Sequence, residues 1–148
     1  MPPLKPWMTW LLWFVGGYNL LAGAGMVCLY HEGYKLLGMD KPAVNLPVQL
    51  VGVLVGLFGV GYWLVAAHPL ENRNILALGF WSKALGSMLG IYYVLAGKLP
   101  LFFLAVLLVS DVGYLPPFAV IIRRLNRIAA HTDSGVTVQG SAHQDNRD

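Results

Sequence analysis

Four long apolar runs, separated by short breaks marked by polar residues, glycine or proline, organise the chain. They cover residues 7–30, 46–67, 74–97 and 101–122, each 22–24 residues long. A helix of about 20 apolar residues crosses a hydrocarbon layer roughly 30 Å thick. An unclosed strand would leave backbone groups unpaired in lipid, so each run predicts a transmembrane helix despite its β-branched residues. Residues 31–45 form the longest connection, marked by Gly33, Gly38, Pro42 and the nearby Pro47. Residues 68–73 are short and polar, and Gly97-Lys98-Leu99-Pro100 reads as a tight turn. Such short connections predict that the second, third and fourth runs pack as an antiparallel meander. The expected architecture is all-α, a four-transmembrane-helix bundle over residues 1–127 running up-down-up-down. After Arg123-Arg124 the composition turns polar, and a disordered tail is expected over residues 128–148.

Composition supports the membrane assignment. Apolar residues make up 57% and charged residues 11% of the chain, with mean hydropathy +0.60. Soluble domains carry roughly 45–50% and about 25% respectively. This balance argues against a water-soluble enzyme, a disordered chain or a nucleic-acid binder over the first 122 residues. The expected surroundings are the lipid bilayer, with a homo-oligomer or a larger membrane complex as the protein partner. The net charge of +3 is read as basic residues flanking the spans. With both termini in the cytoplasm, the inner side carries Lys5, Arg73, Arg123, Arg124 and Arg127. The outer side carries Lys35, Lys41 and Lys98. That bias predicts cytoplasmic termini. A cleaved signal peptide is the rival for the first run, with Lys5 ahead of it and Ala22-Gly23-Ala24 resembling a cleavage site. The run continues past Ala24 to Tyr30, which favours a retained span. Cys28 is the sole cysteine and closes no intrachain disulfide.

Few residues carry chemistry. Lys83 and Asp111 each lie about ten residues inside a span, near the bilayer midplane. If Lys98 and Leu99 form the turn, Lys83 faces about residue 114, and Asp111 is then only about 4.5 Å off level. A lone charge at that depth costs a few kcal/mol, which pairing largely removes. The two are expected to pair, either as a structural lock or as a proton, ion or ligand site. Asn19 reaches similar depth, and Tyr62, Ser82, Ser87 and Ser110 are candidates for the same interior. Pro116 and Pro117 predict a kink in the fourth run that frees the carbonyls of Val112 and Gly113. Gly52 and Gly56, and likewise Gly86 and Gly90, have the G-x-x-x-G spacing that lets helix backbones approach in lipid. His31 and His68 fall at opposite ends of the bundle, which argues against a shared haem. No residue set has metal-ligand spacing or a catalytic motif, so neither a metal, a cofactor nor a catalytic group is expected.

Over about residues 15–122 the chain resembles a family of small uncharacterised bacterial four-helix integral membrane proteins. The resemblance is carried by Tyr18-Asn19, by Gly52, Gly56, Gly59, Gly61 and Tyr62, and by His68-Pro69. It continues through Gly79, Lys83 and Gly86 to Asp111 and Pro117-Phe118. It implies an integral protein of the bacterial cytoplasmic membrane and no known reaction. Three functions are open at this point. The first is a non-enzymatic bundle acting as an accessory, assembly or scaffold component. The second is a small proton- or ion-linked transporter working as a homo-oligomer. The third is a lipid- or quinone-binding membrane protein or enzyme built on Asn19, Lys83 and Asp111.

Overall fold

The computed structural model describes the backbone of residues 3–144 and the side chains of residues 3–131. The described chain is all-α. In order it forms α1 (Pro6–Cys28), α2 (Tyr30–Leu36), α3 (Leu46–Ala67), α4 (Arg73–Leu95), α5 (Leu101–Ser110), a 3-10 turn (Val112–Tyr114) and α6 (Leu115–Gln144). Four stretches are long and apolar enough to cross a membrane: α1, α3, α4, and the stretch from α5 into α6 up to His131. Less than a third of each is buried within the chain. Side chains such as Leu21, Leu95 and Val109 point outward. Outward apolar surface of this extent suits lipid rather than water.

Local chemistry explains the ends of the helices. Pro6 opens α1 in the first turn, where its missing N–H has no intrahelical partner in any case. Gly97, at φ 68°, closes α4 in the left-handed conformation that glycine adopts without penalty. The Lys98 N–H then bonds Tyr93 O at 2.9 Å and the Gly97 N–H bonds Val94 O at 3.0 Å, capping the last carbonyls.

The structure corrects the expected layout in three places. First, the 31–45 connection is not wholly irregular, because its opening residues form α2. Second, the fourth run is not one kinked helix. It breaks at Asp111 and restarts at Leu115. Pro116 and Pro117 therefore stand in the first turn of a new helix, where no backbone donor is missed. In a continuous helix their rings would clash with the preceding turn. Third, α6 runs on to Gln144, so residues 128–144 are helical where an unordered tail is expected. An established helix gains a hydrogen bond with each added residue and needs no new nucleus. Residues 145–148 of that expected tail lie outside the described residues.

Packing is uneven. The closest pair is α1 with α3, antiparallel, through glycines seven residues apart on each helix. A Cβ at Gly59 would lie 2.6 Å from Gly16 O, and one at Gly52 would lie 2.8 Å from Gly23 O. Backbone approach of this kind is how helices adhere in lipid, where no hydrophobic force draws them together. Between α3 and α4, the Tyr62 ring fills the space that a side chain at Gly79 would need. The apolar core joins Leu4, Met8, Leu12 and Val15 to Tyr62, Val65 and Leu76, and to Phe118, Ile121 and Leu125 of α6. All of these lie in the half of the bundle where α1 begins and α3 ends. In the other half, Leu107 is the one large apolar side chain that is buried among the described residues.

Candidate functional site

The boundary between the packed half and the open half is polar. Lys83 sits on the inward face of α4 with Leu76, Gly79 and Ser87, at the three- and four-residue spacing of one helix face. Its Nζ lies 2.6 Å from Asp111 Oδ1. The same ammonium donates to Ser110 O at 3.2 Å. That carbonyl is available because the helix breaks there. The Tyr114 N–H turns to Asp111 O at 3.2 Å, in 3-10 fashion, and leaves the oxygen one residue earlier to Lys83. Ser110 Oγ donates to Asp111 Oδ2 at 3.2 Å. The Tyr114 ring stands 5.7 Å from Nζ, within cation–π range. Each carboxylate oxygen thus accepts a hydrogen bond, and two of the three ammonium hydrogens are used.

Exposure is asymmetric across the pair. The Lys83 side chain is 9% exposed and that of Asp111 33%. The carboxylate edge faces a cleft of about 480 Å³ that all four spans line. Polar groups collect at its inner end: Asn19, Ser82, Lys83, Ser110 and Asp111. Its walls toward the other end are apolar, with Met26, Val55, Leu89 and Phe103 among them. A second cavity of about 550 Å³ lies against α2, lined by Gly33, Tyr34 and Leu37. The two cavities adjoin along Ala22, Met26, Leu99 and Phe103, which line both. Both volumes fall within the roughly 300–1,000 Å³ of small-molecule sites.

The sequence-derived residues divide as follows. Lys83 and Asp111 are brought together at contact distance. Asn19 lines the same cleft from α1, but its amide donates to Val15 O of its own helix at 2.9 Å rather than to the pair. Gly52 lies in the tight α1–α3 contact. Gly56 presents its backbone there, 2.7 Å from a Cβ placed on Gly23, while a Cβ on Gly56 itself meets nothing nearer than 4.0 Å. Gly90 gives way to the Leu107 side chain of α5. Gly86 is a correction. No atom lies within 4 Å of its Cβ position, so it lines the cleft instead of packing on a helix. The carbonyls of Val112 and Gly113 are not the ones freed toward the site, because the break precedes the prolines and exposes Ser110 O.

Two features escaped sequence reasoning. Gly16 and Gly23 match Gly59 and Gly52 at equal spacing, a signal readable as paired seven-residue intervals in adjacent spans. The indole of Trp63 packs over Gly16 and donates to Trp13 O at 2.9 Å.

Comparison with protein-family models, with curated proteins and with solved structures returns no match. The family resemblance of the sequence rests on the residues that carry it.

Proposed function

We propose that this small integral membrane protein holds a lipid-like molecule in its intramembrane cleft, with both termini on the cytoplasmic side of a bacterial inner membrane. The observation that carries the proposal is the open half of the bundle, an apolar cleft whose inner end is floored by the Lys83–Asp111 pair. The pair balances its own charge. A charged head group beside it would bring an uncompensated charge to mid-membrane depth. The ligand class is therefore an isoprenoid- or acyl-chain molecule with an uncharged oxygen head, such as a quinone or a neutral lipid. A head-group hydroxyl would donate to Asp111, a carbonyl would accept from Ser82, Asn19 or the third Lys83 hydrogen, and the chain would run past Met26 and Phe103 toward α2.

The accessory-bundle reading accounts for the glycine contacts but leaves the cleft without a use. The transporter reading needs a route past the pair. The core from Leu4 to Leu125 fills the half of the bundle that such a route would cross.

The test is purification in mild detergent, organic extraction and mass spectrometry of bound lipids, for wild type and Gly86→Leu. A Cβ there meets no atom within 4 Å, so a leucine projects into the cleft. Wild type should carry a neutral chain-bearing molecule near one per chain, and the variant should lose it. Equal neutral-lipid content in both proteins would overturn the proposal.

A further inference from the structure

A second cavity system lies at the other end of the bundle and has the opposite chemistry. A surface cavity of about 540 Å³ is lined by Lys5, Arg123, Arg124 and Arg127 together with the apolar Met8, Val120 and Ile128. Four cationic side chains converge there, and no Asp or Glu lines the cavity among the described residues. The arrangement is built by two elements. Lys5 immediately precedes α1. Arg123 and Arg127 are one helical turn apart on α6 and share a face. Arg124 ties the two together by donating its Nε to Pro3 O at 2.8 Å.

The depth is as informative as the charge. With the four candidate spans inserted, the cavity lies where the apolar part of α1 begins and so at the level of the lipid head groups. Lys5, Arg123 and Arg127 stand at that level, and Met8 and Val120 lie on the hydrocarbon side of them. We infer that this cavity binds the phosphate of an anionic phospholipid, with Lys5, Arg123 and Arg127 around the phosphate, Arg124 holding the two elements together, and an acyl chain against Met8 and Val120. Arginine suits the role because its planar fork engages two phosphate oxygens at once. Free phosphate shares the charge, but it has nothing to lay against Met8 and Val120. The inference needs membrane insertion and is independent of any ligand in the Lys83–Asp111 cleft.

The experiment is native mass spectrometry of the full chain in detergent. It is titrated separately with phosphatidylglycerol, phosphatidylcholine and inorganic phosphate. Each cation near a membrane surface contributes about fivefold to anionic-lipid affinity. Wild type should therefore bind phosphatidylglycerol at least about tenfold more tightly than phosphatidylcholine. The doubly substituted Arg123→Gln/Arg127→Gln protein should lose most of that preference, and Arg123→Lys/Arg127→Lys should keep most of it. Circular dichroism establishes that the variants fold. Should the glutamine protein fail to fold, the wild-type preference and its retention by the lysine protein decide the matter. Equal affinity of wild type for the two lipids overturns the inference. So does an unchanged preference in the folded glutamine variant. Displacement of phosphatidylglycerol by millimolar phosphate would mark a free-anion site and overturn the lipid assignment.

Discussion

Replacing Lys83 with methionine, Asp111 with leucine, and both together forms a cycle whose magnitudes follow from the geometry of the pair. Breaking a buried ion pair by removing one partner costs about 3–5 kcal/mol, because the survivor is left buried without compensation. The two survivors here are not equivalent. After Asp111→Leu, the ammonium remains 9% exposed and keeps only the Ser110 carbonyl as an acceptor. That variant should lose the full 3–5 kcal/mol, or about that much. After Lys83→Met, the carboxylate is one-third exposed to the cleft and keeps the Ser110 hydroxyl. Its loss should be smaller, about 2–3 kcal/mol, near the cost of an acidic group at the centre of a membrane helix. In the double variant neither charge remains, so part of the loss should return. Coupling of at least about 2 kcal/mol is expected. The assay is equilibrium unfolding of the purified protein in detergent micelles, with the four proteins compared under one condition. Strictly additive losses would refute an interaction between the two residues. Lys83→Met costing more than Asp111→Leu would refute the asymmetry.

Two further outcomes separate the contacts from the cavities and fix the topology. Gly23→Ala places a methyl 2.7 Å from Gly56 N and should cost about 1–3 kcal/mol. Gly86→Leu should leave stability within about 1 kcal/mol of wild type, since it meets nothing and removes a helix glycine. Equal destabilisation of both in detergent melts would show that Gly86 faces a helix after all. With Cys28 replaced by serine, cysteines introduced singly at Lys41, Glu71 and Lys98 should label in two classes. Positions 41 and 98 should react from outside intact cells and position 71 only after permeabilisation. Labelling of position 71 together with position 41 would exclude the alternating arrangement.

Length and hydropathy made the four spans legible, because lipid imposes a fixed helix length and forbids unpaired backbone. The α1 and α4 boundaries fall within two residues of those expected, and those of α3 coincide with them. The Lys83–Asp111 contact was also legible, since a four-residue turn leaves little freedom in the level of two antiparallel helices. The glycine contacts were legible in kind but not in place. A G-x-x-x-G pair says that a helix has a small face. It does not say which way that face turns, and Gly52 and Gly86 point to opposite outcomes. The break at Asp111 was not legible, because a proline pair fits either a kinked helix or the start of a new one. Backbone propensity does not distinguish them until packing selects the conformation.

The break and the open cleft have a common physical origin. On the α1–α3 side, paired glycines hold two helices backbone to backbone between the Gly16–Gly59 and Gly23–Gly52 levels. On the α4–α5 side the contact is made by Gly90 against Leu107 and by the ion pair. A continuous fourth helix would use its own Ser110 carbonyl internally and offer Lys83 one partner instead of two. Breaking the helix gives up intrahelical hydrogen bonds near Asp111. In return the ammonium gains a second acceptor, and the prolines move to a first turn where they do no harm. The pair and the Gly90–Leu107 contact can then clamp α4 to the fourth span, with little else packed above them. The open half is therefore compatible with a stable bundle. The groups that make it stable are the same ones that give the cleft its polar floor, so a ligand seated there would bear directly on the clamp. Occupancy should then stiffen the α4–α5 contact, because the ligand fills space that the chain itself leaves empty.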